Sequence, residues 1–106
     1  MTNDILDTLE ATIRARRTAD PETSYVARLT AKGRAKIAQK LGEEATETVI
    51  AAMQDDKAAL TSEAADLMFH LLILLADAGL SLDDVRVELA RRDGVSGIAE
   101  KAARTE

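Results

Sequence analysis

The chain has 106 residues, a formal net charge of −5 and no cysteine. That length suits one domain with one core and leaves no room for two; the missing cysteines exclude a disulfide frame and a thiolate metal site. A net-acidic chain whose aromatic residues are Tyr25 and Phe69 has neither the charge nor the stacking platforms of a general nucleic-acid binder.

Ala and Leu dominate and Pro21 is the sole proline, a composition that predicts a single all-α domain over residues 1–106. The first helix is expected over residues 4–16, where Ile5, Leu9 and Ile13 recur at i, i+4 and i+8. The Pro-containing polar stretch 18–24 reads as a loop. Ser24 then caps a short helix reaching Lys32, and Gly33 ends it.

A long helix follows over residues 34–54, with an apolar stripe of Ile37, Leu41, Ala45, Thr48 and Ala52 edged by Val49 and Met53. Glu44, Glu47 and Lys40 fall at the other edge of that stripe, and Glu43 points further out. Gly42 in mid-helix costs about 1 kcal/mol relative to Ala, so it is expected to mark a close approach by another backbone or a ligand. A second long helix spans residues 56–78 and stops at Gly79. From Leu67 to Ala76 it is apolar nearly all round, with one polar strip of Glu63, Asp66, His70 and Asp77. Such a helix must be buried on most sides, which these few helices cannot achieve alone, so the expected architecture is an antiparallel helical bundle completed by homodimerisation. A last helix starts at the cap Ser81, with Asp83 and Asp84 in its first turn, and ends near Arg92. Residues 93–106 form a Gly-broken tail expected to order on binding.

The apolar run around Leu71–Ala76 is broken by His70 and falls short of the ~20 residues a bilayer span needs. The start Met1-Thr2-Asn3-Asp4 has no secretory pattern. A cytoplasmic protein with no membrane partner is expected.

The chemistry concentrates in two acidic motifs. Glu43-Glu44-x-x-Glu47 is separated by fifteen residues from Glu63-x-x-Asp66. The i,i+3 spacing places both acids of a pair on one helix face, and a short turn between the helices brings the pairs together. Two like charges about 4 Å apart cost roughly 4 kcal/mol at an effective dielectric of about 20. A solvated acidic face is the bland alternative, but these acids border apolar stripes, where a carboxylate must be paired or hold a metal. An i,i+4 pair of Lys40 with Glu44 would neutralise only part of the charge. Oxygen ligands select Mg²⁺, with Mn²⁺ as substitute, over zinc or copper, and the absence of Glu-x-x-His disfavours a di-iron centre. His70 reads as a core histidine satisfied by a neighbouring carboxylate, with a substrate contact as the alternative.

Between residues 28 and 40 lie Arg28, Lys32, Arg34, Lys36 and Lys40 and no acid, a local sign reversal in an acidic chain. Beside a metal cluster this stretch reads as a phosphate seat, to which Lys101 and Arg104 of the tail add. No glycine-rich phosphate loop or nucleophile motif is present.

The two acidic motifs together resemble the signature of the all-α, MazG-like nucleoside triphosphate pyrophosphohydrolases. Ser24-Tyr25-Val26-Ala27-Arg28-Leu29, the run Lys36 to Glu47, Glu63-Ala64-Ala65-Asp66 through Leu72, Gly79-Leu80-Ser81-Leu82-Asp83-Asp84-Val85 and the tail Ser96-Gly97-Ile98-x-Glu100-Lys101 narrow this to a resemblance to the phosphoribosyl-ATP pyrophosphatase family. The resemblance implies Mg²⁺-dependent hydrolysis of phosphoribosyl-ATP to phosphoribosyl-AMP and pyrophosphate, the second step of histidine biosynthesis. A metal-activated water would attack between the α and β phosphates. Carried over by motif, Glu44, Glu47, Glu63 and Asp66 hold the metal; Glu43, Glu44 and Glu47 are catalytic; Arg28, Lys32, Lys36, Lys40, Lys101 and Arg104 bind substrate. The competing readings are a pyrophosphohydrolase of free nucleoside triphosphates and a non-catalytic dimerisation module.

Overall fold

The computed structural model describes residues 4–93. Within them the chain forms five helices and no strand: α1 (Ile5–Arg16), α2 (Tyr25–Lys32), α3 (Arg34–Met53), α4 (Lys57–Asp77) and α5 (Leu82–Arg92). The predicted tail, with Lys101 and Arg104, lies outside the described residues apart from Asp93.

Local chemistry places the boundaries where short polar side chains and glycines stand. Asp4 caps α1 by accepting from the Asp7 amide at 3.0 Å, and Asp7 reaches back to the Asp4 amide. Ser24 accepts from the Ala27 amide at 3.1 Å and starts α2. Gly33, at φ +99°, separates α2 from α3, a conformation that disfavours a side chain. Between α3 and α4 the turn is short: Asp55 takes φ +55° and Asp56 caps α4 through the Ala59 amide at 3.0 Å. Gly79, at φ +76°, ends α4 with the Leu80 amide bonded back to the Leu75 carbonyl at 2.8 Å. Ser81 and Asp84 form a capping box on α5.

The short turn makes α3 and α4 an antiparallel hairpin. Arg34 meets Asp77 at one end and Thr48 meets the Glu63 carbonyl toward the other. The core lies at the end of the hairpin away from the turn. Ile13, Val26, Leu29, Ile37, Leu72 and Ile73 are buried together, flanked by Leu6, Leu9, Phe69 and Leu82. On α3 the inward line is Ile37, Glu44 and Ala51, with Thr48 half-buried. The predicted stripe through Ala52 is therefore off by one residue at its far end, and Ala52 is exposed. Gly42 also departs from expectation: a methyl group built on it would meet nothing within 4 Å among the described residues.

Asp77 ties three elements. Its carboxylate accepts from Arg34 at 2.5 Å and from Arg17 at 3.2 Å, and the Arg34 guanidinium also reaches the Asp77 carbonyl. The Arg34 and Arg17 hydrogen bonds hold its carboxyl below the usual range. A lowered folded-state pKa means the stabilisation is complete above the unfolded value near 3.9 and disappears as pH falls through the folded one. Asp77→Asn is expected to cost about 1–2 kcal/mol near neutral pH, the lower end of charge-assisted hydrogen bonding because Arg34 is half exposed to water. Urea unfolding of both proteins checks this; an equally large gap at acidic pH would count against the ion pair as its source.

α5 sits at the margin. Arg86 bonds Asp7 and Asp83 at 2.8 Å each, and the Leu82 amide donates to Glu10 at 2.6 Å, but α5 has no buried residue. Val87 and Leu89 on α5, Val49, Ile50 and Met53 on α3, and Met68 and Leu71 on α4 are exposed in the single chain. Taken over its full 21 residues, α4 is apolar and long enough to cross a bilayer by length and composition alone, which the reading of the run interrupted at His70 did not anticipate.

Candidate active site

Glu44 and Glu47 lie in mid-α3, and Glu63 and Asp66 lie on the facing part of α4. Glu44 is drawn inward, 8% exposed, while Glu63 is half-buried and Asp66 is at the surface. One carboxylate oxygen from each of Glu44, Glu63 and Asp66 lies within 4.8 Å of the other two. Among the described residues, neither Glu44 Oε1 nor Glu63 Oε1 has a hydrogen-bond partner, although both atoms are buried. Partnerless buried carboxylate oxygens in clustered acids are costly in a folded chain.

A divalent cation removes that cost. Octahedral Mg²⁺ takes oxygen ligands at about 2.1 Å, so its ligands are at most about 4.2 Å apart. The three oxygens need only a small side-chain adjustment to meet such an ion, and an all-oxygen donor set is the one Mg²⁺ and Mn²⁺ prefer.

Glu47 stands outside the set of three and is exposed. It is nonetheless a neighbour of Glu63. Burial first, then the neighbouring Glu47 and the charges of Glu44 and Asp66, push the Glu63 carboxyl upward. Glu44, Glu47, Glu63 and Asp66 thus act on one small volume.

Glu43 is turned away from them. It accepts from Gln39 at 3.0 Å and from Lys40 at 3.1 Å, and these two bonds lower its pKa. The lysine therefore pairs with Glu43 at i+3 rather than with Glu44 at i+4, because Glu44 has rotated into the helix interface. Lys40 consequently neutralises none of the buried oxygens through an ion pair. It remains electrostatically close to Glu44, and the pairing with Glu43 raises its own pKa.

The other predicted phosphate contacts are spread out. Lys36 is half-buried on α3, close enough for its charge to act on Glu43. Arg28 and Lys32 are exposed on α2, and the Arg28 Nε donates to the Pro21 carbonyl at 3.1 Å.

His70 is buried, one turn after Asp66, but no carboxylate satisfies it. Its Nδ1 lies 2.8 Å from the Asp66 backbone carbonyl and its Nε2 lies 2.8 Å from the Tyr25 hydroxyl. A carbonyl only accepts, so Nδ1 carries the proton; in the neutral ring Nε2 then accepts from the Tyr25 hydroxyl. Tyr25, His70 and Phe69 form one aromatic cluster, with the Tyr25 and Phe69 rings stacked at 6.2 Å. Burial raises the Tyr25 pKa, and the nearby charges of Lys40, Glu44, Glu43 and Asp66 place the phenol beside the acids. Residue-type reasoning did not single out Tyr25. The signal was its position just after the cap Ser24, which fixes where the first side chain of α2 points.

Comparison with known proteins shows the family. A family profile described as phosphoribosyl-ATP pyrophosphohydrolase matches residues 6–93. A Rhizorhabdus wittichii protein named phosphoribosyl-ATP pyrophosphatase is 69% identical over 99 residues, 93% of each chain. One of the same name from Azospirillum brasilense is 62% identical over 94% of this chain and 90% of its own. Another from Zymomonas mobilis is 60% identical over 98% of this chain and 97% of its own. The chain belongs to the phosphoribosyl-ATP pyrophosphohydrolase family.

Proposed function

We propose that the chain hydrolyses phosphoribosyl-ATP to phosphoribosyl-AMP and pyrophosphate with Mg²⁺, Mn²⁺ being a workable substitute, as the second step of histidine biosynthesis in the cytoplasm. The observation that carries this reading is the convergence of Glu44 and Glu63 with Asp66 across the α3–α4 hairpin, Glu44 and Glu63 each keeping a buried, partnerless carboxylate oxygen. Family membership supplies the substrate.

Glu44, Glu63 and Asp66 would hold the ion, with Glu47 joining them from beside Glu63. When bound, the ion supplies Lewis-acid polarisation of the phosphate oxygens and neutralises their charge. Lys36 and Lys40 are the cations nearest the acids along α3 and would bind phosphates, with Arg28 and Lys32 on α2 and Lys101 and Arg104 on the tail completing the seat. Glu47, exposed beside Glu63, would take a proton from water as it attacks between the α and β phosphates, and Glu43, held by Gln39 and Lys40, would assist by orienting that water.

A homodimer belongs to this proposal. The exposed Val49, Ile50, Met53, Met68 and Leu71 form apolar faces on the two helices that carry the acids. A second copy suits these faces better than lipid, because α4 bears Glu63, Asp66 and His70 along its middle and a bilayer would strand those groups. The net acidic charge likewise disfavours nucleic acid as partner.

Pyrophosphate release from phosphoribosyl-ATP, measured with and without Mg²⁺ beside a panel of ordinary nucleoside triphosphates, tests the proposal. Mg²⁺-dependent turnover preferring phosphoribosyl-ATP is expected. Preference for a plain triphosphate would end the narrower substrate claim; no release from any of them would end the catalytic one.

A further inference from the structure

Thr48 reads in sequence as one more position of the α3 apolar stripe, yet its hydroxyl occupies a particular place. It is one turn beyond Glu44 on the same helix face, and it donates to the Glu44 carbonyl at 2.8 Å. The same oxygen lies 3.2 Å from the carbonyl of Glu63 on α4, within hydrogen-bond distance. One hydroxyl proton is thus shared between the peptide carbonyls of the two residues whose side chains hold the partnerless buried carboxylate oxygens.

That arrangement matters because the carboxylates do not hold themselves together. Without a cation, Glu44, Glu63, Asp66 and Glu47 push the helices apart. Among the described residues, the other side-chain hydrogen bonds between α3 and α4 are those of Arg34 with Asp77. Thr48 lies fourteen positions beyond Arg34 on α3, roughly 21 Å at 1.5 Å per residue, too far for Arg34 to control the spacing of the acids. Glutamate side chains have several rotatable bonds, so the convergence of their tips depends on how firmly their backbone origins are held.

We infer that the Thr48 hydroxyl is a positioning residue that sets the α3–α4 spacing at the acidic cage and thereby its preference for a small divalent cation. This inference rests on the reading of the cage as a cation site. Mg²⁺ demands near-ideal octahedral bonds at 2.0–2.1 Å, whereas Ca²⁺ accepts longer bonds of about 2.3–2.6 Å in looser geometry. Replacing the hydroxyl by a methyl sets carbon against the Glu63 carbonyl oxygen at a distance suited only to a hydrogen bond, and the helices part. A wider cage harms Mg²⁺ more than Ca²⁺.

The test is calorimetric titration of the metal-free full chain with Mg²⁺ and separately with Ca²⁺, for wild type, Thr48→Val, Thr48→Ala and Thr48→Ser. Val keeps the shape, Ala removes both branches, and Ser keeps only the hydroxyl. Thr48→Val and Thr48→Ala are expected to bind Mg²⁺ about tenfold more weakly, the lower end of what losing an outer support costs a metal site. Ca²⁺ affinity should change much less, and Thr48→Ser should stay close to wild type for both ions. If Thr48→Val does not fold, the Ala and Ser variants carry the comparison. Unchanged Mg²⁺ affinity in the variants without the hydroxyl overturns the inference, as does an equal loss in Thr48→Ser, which would assign the effect to packing of the methyl. Equal losses for Mg²⁺ and Ca²⁺ overturn the claimed selectivity. If wild type binds neither ion, the cation reading of the cage itself fails; wild-type binding beside unaltered variants removes only the role given to Thr48.

Discussion

Glu44→Gln should lose pyrophosphate release almost entirely, with kcat/KM on phosphoribosyl-ATP falling by about 10²–10³-fold. A bound ion contributes several kcal/mol of transition-state charge stabilisation, and each ~1.4 kcal/mol is tenfold in rate. Glutamine keeps the shape of the side chain and removes the anion that helps retain the metal. The same substitution should leave the metal-free protein as stable as wild type or more so, because it takes an uncompensated charge out of a buried position. Helical circular dichroism and thermal unfolding beside a pyrophosphate assay separate the two effects. A Glu44→Gln protein that is fully active, or one that loses activity only because it unfolds, contradicts the assignment. Glu47→Gln is the informative companion. Glu47 is exposed and lies outside the set of three, but it sits against Glu63. A loss as large as that of Glu44→Gln would make it a full ligand, and retained activity would exclude it as an essential one.

Millimolar Mg²⁺ should raise the melting temperature of the wild-type protein by roughly 10–20 °C, and a chelator should reverse the rise and stop turnover. An ion at about 100 times its dissociation constant stabilises the native state by about 2.7 kcal/mol. In a domain of about 100 residues each kcal/mol moves the midpoint by roughly 4–8 °C. The rise should be absent in Glu44→Gln and should not be reproduced by sodium chloride at matched ionic strength, because general screening of an acidic surface is not site binding. Thermal scans of both proteins with Mg²⁺, Mn²⁺ and salt alone read this directly. A shift that sodium reproduces would mean that the acids form a solvated patch and no cage.

Much of the fold was legible from residue types because its boundaries are local events. Ser24, Asp56 and Ser81 cap helices with their own hydroxyl or carboxylate oxygens, and Gly33 and Gly79 stop helices at positive φ. The acidic motifs were legible for a similar reason: i,i+3 spacing fixes a shared face before any tertiary contact exists. Periodicity was less able to fix rotation. A small rotation of α3 brings Ala51 inward in place of Ala52 and carries Glu44 into the interface, so that Lys40 pairs with Glu43. Gly42 shows a further limit. A glycine in a helix reports the absence of a side chain, and the described residues bring no neighbour to that space.

From residue order alone came an all-helical chain, its capping points, and two acid pairs that a short turn would bring face to face. Helix propensity, capping and i,i+3 spacing act over a few neighbouring residues, so they can be read along a line. The packed structure decided which acid is buried, that two carboxylate oxygens lack partners, that His70 is held between the Asp66 carbonyl and the Tyr25 hydroxyl, and that Thr48 touches the backbones of both acid-bearing helices. Those facts depend on how far each helix turns about its axis and how closely it approaches its neighbour, and these are set by the fit of Ile13, Leu29, Ile37 and Ile73 in a core contributed by four separate helices.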